Sequence, residues 1–130
     1  MAMMIADSDI LIDALRGRDP AQRRIALELR TGRLATTAIN VFELLSGARS
    51  EVEREKVERL VGALTILPID DEASRRAAAV RRDLEAKGLP IGMADYLIAG
   101  VCLARGGILL PRNRTHFERV AELRLGFDEK

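Results

Sequence analysis

Apolar positions recur along this chain in two alternating patterns. Residues 3–6, 34–36, 65–69 and 108–110 are short, mostly apolar runs without polar alternation. Such runs read as strands buried on both faces. Between them the apolar positions follow a helical period. Residues 10–15 read as a helix stopped at Gly17 and Pro20, and residues 23–29 as a second, with Ile25 and Leu29 four apart and Gly32 as its stop. Residues 38–48 place Val41, Leu44, Leu45 and Ala48 on one face. Residues 49–58 alternate in charge, the mark of a solvated face, and that helix runs on to Val61 or Leu64 on a stripe of Val57, Leu60, Val61 and Leu64. The clearest amphipathic helix is 71–87, where Ala73, Ala77, Val80 and Leu84 form the stripe and Gly88 the stop. Residues 94–104 are apolar almost throughout and read as a buried helix closed by Gly106 and Gly107. A short helix over 114–120 and a fifth strand within 123–127 complete the pattern. Pro68 marks the third strand as an edge or a strand end. Strands alternating with helices predict a three-layer α/β domain: about five parallel strands with helices on both faces.

Composition narrows the setting. The chain has 130 residues, of which 48% are hydrophobic, enough for one self-sufficient domain spanning 1–130. No apolar stretch is long enough to cross a membrane. The first residues lack the basic start and long apolar run of a secretory signal. Cys102 is the only cysteine, which excludes an internal disulfide and a cysteine zinc cluster and fits a cytoplasmic protein. Net charge is +1, so any nucleic-acid contact must use a local patch. Arginine supplies all the basic residues except Lys56, Lys87 and Lys130, a bias that accompanies abundant Ala, Gly and Leu. With one His and no Trp, carboxylates are the abundant reactive groups.

The positions of those carboxylates matter more than their number. In open α/β sheets, ligands bind beyond the carboxyl ends of the strands. Asp7 directly follows the first strand, Glu43 lies early in the helix after the second, Asp95 opens the buried helix, and Asn113 follows the fourth strand. Singly, each has an ordinary reading. Asp7 and Asp95 fit helix N-caps, Glu43 a first-turn acid, Asp9 a turn neighbour, Asp13 a solvated helix position and Asn113 a turn. Together they could project toward one end of the sheet. Clustered carboxylates repel, and one of them takes up a proton unless a cation sits among them. Mg²⁺, or Mn²⁺, takes oxygen ligands with one or two carboxylates per ion and supports phosphodiester hydrolysis.

Four segments, in order, resemble the PIN-domain ribonucleases of the VapC class, toxins of type II toxin–antitoxin pairs. Ile5-Ala6-Asp7-Ser8-Asp9-Ile10-Leu11-Ile12-Asp13 resembles the family's opening strand and acidic turn. Thr37-Ala38-Ile39-Asn40-Val41-Phe42-Glu43-Leu44-Leu45-Ser46-Gly47-Ala48 resembles the segment of its second acid. Pro90-Ile91-Gly92-Met93-Ala94-Asp95-Tyr96-Leu97-Ile98-Ala99 resembles the third-acid helix, and Leu109-Leu110-Pro111-Arg112-Asn113-Arg114-Thr115-His116-Phe117 the closing strand and loop. The resemblance implies that Asp7, Glu43 and Asp95 bind metal, that Ser8 supports Asp7, and that Asn113 stands where a fourth acid is common. A neutral Asn weakens a second ion more than the first, so the expectation is at least one Mg²⁺. Three further departures are Gly92-Met93-Ala94-Asp95, which lacks an acid that many relatives carry two residues before Asp95, Pro111, where Thr is common, and His116, where many relatives carry Asp. His116 reads as a polar loop residue beside Phe117.

The expected activity is metal-dependent endonucleolytic cleavage of RNA, with Arg112 and Arg114 beside the site to steer phosphate. The resemblance further implies a cognate antitoxin and a homodimer. Leu27, Leu44, Leu45, Leu60 and Leu64 could line the antitoxin groove, although each singly fits the core. The rival is a catalytically weak PIN-like module that binds RNA or protein without cutting. A receiver-type domain is disfavoured because no lysine follows a strand. No GxGxxG or GxxxxGK[ST] motif is present for nucleotide binding, nor a G-x-S-x-G elbow for a serine hydrolase.

Overall fold

The computed structural model of the chain describes residues 2–112 and 114–126. Five strands, β1 (Met4–Ala6), β2 (Leu34–Thr37), β3 (Thr65–Leu67), β4 (Ile108–Leu110) and β5 (Arg124–Leu125), form one sheet. Its order is β3-β2-β1-β4-β5, and each of the four pairings is parallel. The six helices are α1 (Ser8–Leu15), α2 (Ala21–Thr31), α3 (Ala38–Gly47), α4 (Glu51–Gly62), α5 (Asp71–Ala86) and α6 (Met93–Arg105).

Alternate strand residues divide the core into two. Met4, Ala6, Leu34 and Leu110 pack with Leu11, Ile25, Leu44 and Val57 from α1 to α4. Ile5, Ala35 and Leu109 pack with Ala73, Ile98, Val101 and Cys102 from α5 and α6. The sheet is therefore covered on both faces, which is why its central strands β1 and β4 are apolar at every position. Pro68 ends β3, an edge strand as its position predicts. Gly32 (φ 72°) and Gly106 (φ 67°) close α2 and α6 in the left-handed conformation. None of the described helices is long and apolar enough to cross a membrane.

The chain departs from expectation near its end. Residues 114–120 form turns and a single 3₁₀ turn, Phe117–Arg119, rather than an α-helix. Phe117 and Val120 are anchored in the core, and Arg114 donates to the Gly126 carbonyl. Those anchors hold the segment tighter than an α-helix allows. Strand β5 is shorter than predicted, and Phe127 lies outside the described residues.

On α2, Glu28 is buried, with its carboxylate paired to Arg24 at 3.1 Å and Arg33 at 3.0 Å. This ties the helix to the entry of β2. Removing the carboxylate takes this one partner from both guanidiniums, and each keeps partial access to water. Glu28→Ala is therefore expected to cost about 2 kcal/mol, below the usual range for breaking a buried pair. The urea midpoint checks this, and no change would show that the pairing contributes nothing.

Candidate metal and RNA site

Sheet topology determines where a site can form. From β1 the chain winds outward through β2 to β3, then returns to place β4 on the other side of β1. The connections leaving β1 and β4 diverge, opening a crevice at the carboxyl ends of these two strands. Asp7 stands at that point. Its backbone N–H donates to the Leu110 carbonyl at 3.1 Å, joining the end of β1 to the end of β4.

Asp7 caps α1, and its Oδ1 accepts from the Ser8 N–H at 2.8 Å. Oδ1 also accepts from Asn40 Nδ2 at 3.1 Å. The Ser8 hydroxyl donates to Glu43 Oε1 at 2.7 Å and accepts from Asn40 Nδ2 at 2.8 Å. Ser8 thus supports Asp7 through its backbone, while its hydroxyl holds Glu43. Ser8 is buried, and these bonds occupy its hydroxyl.

Burial pushes the Asp7 carboxyl up to about 6 from 3.8; the Ser8 N–H opposes this, and Asp9, Asp95 and Glu43 reinforce it. Three other carboxylates thus act electrostatically on one buried carboxylate. Asp95, in the first turn of α6, bonds through Oδ2 to His116 Nδ1 at 2.9 Å. His116 is therefore a partner of this acid rather than only a loop residue. Each carboxylate is drawn by one oxygen toward its own donor. Among the described residues, no three His, Cys, Asp or Glu side chains are gathered closely enough to hold an ion as they stand.

The basic candidates are engaged within the chain. Arg112 lies 3.2 Å from Asp13 Oδ1 and 3.7 Å from Asp9 Oδ2. Arg114 donates to Gly126 O at 2.6 Å. Asp13 is thus no solvated helix position: it pairs with both Arg18 and Arg112, and its side chain is 13% exposed. Asn113 lies outside the described residues.

Asn40 was not singled out from the sequence, although it falls within a quoted motif. It is fully buried and forms a capping box with Thr37 at the start of α3. The available signal was a Thr-x-x-Asn spacing before an apolar helix, but its bonds to Asp7 and Ser8 cross 33 and 32 residues.

Between α1, α3 and α4 lies a cavity of about 400 Å³. Ile12, Leu15, Leu44 and Val57 contribute apolar walls, and Arg16, Lys56, Glu53 and Glu43 contribute charge. Of the leucines suggested for a partner groove, only Leu44 lines it. Leu45, Leu60 and Leu64 pack into the α1–α4 core, and Leu27 is exposed.

Comparisons with known proteins agree with this architecture. A family profile described as PIN domain matches residues 4–123. The tRNA(fMet)-specific endonuclease VapC of Shigella flexneri is 30% identical over 128 residues, covering 95% of this chain and 96% of that protein. Ribonuclease VapC10 of Mycobacterium tuberculosis is 32% identical over 125 residues, covering 96% and 93%. VapBC2 of Rickettsia felis, crystallised bound to a fragment of promoter DNA, superposes with a TM-score of 0.87 at 25% identity, covering 95% of this chain and 97% of that one. VapBC of Salmonella typhimurium, also DNA-bound, gives 0.83 at 26% identity, covering 97% and 98%.

Proposed function

The chain belongs to the PIN-domain family and closely resembles its VapC-class ribonuclease toxins, and on that premise we propose that it is a Mg²⁺-dependent endoribonuclease. One observation carries the reading: a buried carboxylate at the end of β1, its carboxyl raised to about 6, lies within the field of three further carboxylates. Such an arrangement calls for a cation. The donor set fits a hard divalent ion, because Asp7, Glu43 and Asp95 offer only oxygen. Each of the described bonds takes one oxygen of its carboxylate, and the other is the proposed ligand atom. When bound, Mg²⁺ or Mn²⁺ supplies Lewis acidity that activates water and stabilises the departing oxygen.

The chain's own residues have distinct tasks in this proposal. Asp7 is the central ligand, held by the Ser8 N–H. Glu43 is oriented by the Ser8 hydroxyl, and Asp95 by His116. Asn113 adds a neutral oxygen. Arg112 and Arg114 steer RNA phosphate with the donors left over from their bonds within the chain, since a guanidinium has five N–H groups. The test is incubation of total cellular RNA, and of initiator tRNA in view of the Shigella relative's name, with Mg²⁺, Mn²⁺ or EDTA. Discrete fragments that disappear in EDTA are expected. Folded, partner-free protein that cuts no RNA in either metal would instead favour the non-cutting binding module.

The proposed partner is a cognate antitoxin, with the protein itself as a homodimer. The solved relatives include VapBC assemblies, and the α1–α3–α4 cavity has Glu43 in its wall, so a segment seated there would also cover the site. Ala48 lines this cavity as well. Ala48→Trp fills the space, and is expected to weaken inhibition by the antitoxin at least about tenfold. Unchanged inhibition in a cleavage titration would place the partner elsewhere.

A further inference from the structure

Among the described residues, Asn40 has the one side chain that hydrogen-bonds to both Asp7 and Ser8, and it has no exposure to solvent. Its orientation is determined by its surroundings. The Thr37 backbone N–H can only donate, and it lies 3.3 Å from Asn40 Oδ1. The Thr37 hydroxyl accepts from the Asn40 N–H at 3.2 Å and donates to the same Oδ1 at 2.7 Å. Oδ1 is thereby assigned to the Thr37 side, and Nδ2 must face the site. Its two hydrogens go to Asp7 Oδ1 and Ser8 Oγ. Because Ser8 Oγ receives one of them, the single hydroxyl proton of Ser8 is directed onto Glu43 Oε1. Every donor in the network has one available acceptor, and no buried polar side-chain atom among the described residues is left without a partner.

We propose that Asn40 is a positioning residue of the carboxylate site, orienting Asp7 directly and Glu43 through the Ser8 proton so that both accept a divalent cation. The inference rests on the metal-dependent reading given above. Asn40 itself touches neither ion nor RNA. It works by removing orientations the two carboxylates would otherwise sample, and loss of such outer contacts typically weakens an ion site by 10–100-fold. The cap alone would be a stability feature, so a test must separate the two sides of the amide.

Asn40→Leu, close in size and without polar atoms, removes both sides. Thr37→Val breaks the cap contacts of the Thr37 hydroxyl but leaves the Asn40 donors to Asp7 and Ser8. Mn²⁺ affinity by calorimetry and kcat and KM for RNA are measured on both variants and on the intact protein, with circular dichroism to confirm folding. Asn40→Leu is expected to weaken Mn²⁺ by about 10–100-fold and to lower kcat, with KM for RNA changed by less than about threefold. Thr37→Val is expected to lose thermal stability while keeping Mn²⁺ affinity within about threefold of the intact protein. If Asn40→Leu does not fold, Asn40→Ser carries the same readout in the same direction. Unchanged Mn²⁺ affinity in the folded Asn40 variant would overturn the inference, as would an equal loss in Thr37→Val. An intact protein that neither binds Mn²⁺ nor cuts RNA would instead overturn the metal-dependent reading, and this inference with it.

Discussion

Asp7→Asn is expected to abolish RNA cleavage and, in the absence of divalent ions, to make the protein more stable. The two effects have one cause. Asp7 is 8% exposed, and its carboxyl is raised from 3.8 to about 6, chiefly by burial. A carboxyl raised in this way holds its proton better in the folded chain than in the unfolded one. Below pH 3.8 it is protonated in both states and costs nothing. As pH rises through about 6 the folded chain must ionise a buried group, so stability falls, by about 3 kcal/mol for this difference. Asn can accept the same bonds from the Ser8 N–H and Asn40 without ionising. Urea denaturation in EDTA should therefore find the variant and the parent close at pH 4, and the variant more stable by about 3 kcal/mol at pH 8. Divalent ions should raise the stability of the parent and leave the variant nearly unchanged. Cleavage should fall on the order of a thousandfold. A variant less stable than the parent at pH 8 would show that Asp7 is not under electrostatic strain.

Gly100→Val is expected to cost about 3 kcal/mol or more, and to disable the site from a distance. Helices α5 and α6 form the most extensive helix packing in the molecule. A Cβ on Gly100 would lie 2.7 Å from Ala77 Cβ and 2.8 Å from Ala77 N, and would collide with the Ala73 carbonyl. Two of these obstacles are backbone atoms of α5, which no side-chain rotation can move. The helices must separate, and α6 carries Asp95. Gly62 on α4 offers a contrast, because a Cβ there meets nothing within 4 Å. Gly62→Ala is expected to stabilise by up to about 1 kcal/mol. Urea midpoints of the two variants compare them directly, and equal effects would show that the α5–α6 contact is not tight.

Those two glycines illustrate what sequence reading reaches. Gly32 and Gly106 were legible as helix stops because a left-handed cap is local. The tight crossing at Gly100 was not, since it depends on α5 lying across α6. The same division runs through the site. Asp7, Glu43 and Asp95 stand out because strand ends and helix starts can be located from apolar patterning. His116 reaches Asp95 across 21 residues, and Arg112 reaches Asp13 across 99. Neither pairing leaves a periodic trace. Residues 114–120 carry helix-compatible chemistry, yet the buried anchors Phe117 and Val120 impose a tighter turn. Polar residues in loops and first turns are the least legible, because the same residue types serve as caps, ion-pair partners and ligands.

In the proposed reaction this carboxylate site directs water onto RNA phosphorus. The chemistry of the product ends tests it most directly. Attack by water with departure of the 3′ oxygen leaves a 5′-phosphate and a 3′-hydroxyl, whereas attack by the neighbouring 2′-hydroxyl leaves a 2′,3′-cyclic phosphate and a 5′-hydroxyl. RNA would be cut by the purified protein in Mn²⁺, with Asp7→Asn prepared identically, and the new ends mapped. Attack by metal-activated water requires 5′-phosphate ends that are absent in EDTA and absent with Asp7→Asn. Cyclic phosphate ends, or cleavage that persists in the variant, would contradict it.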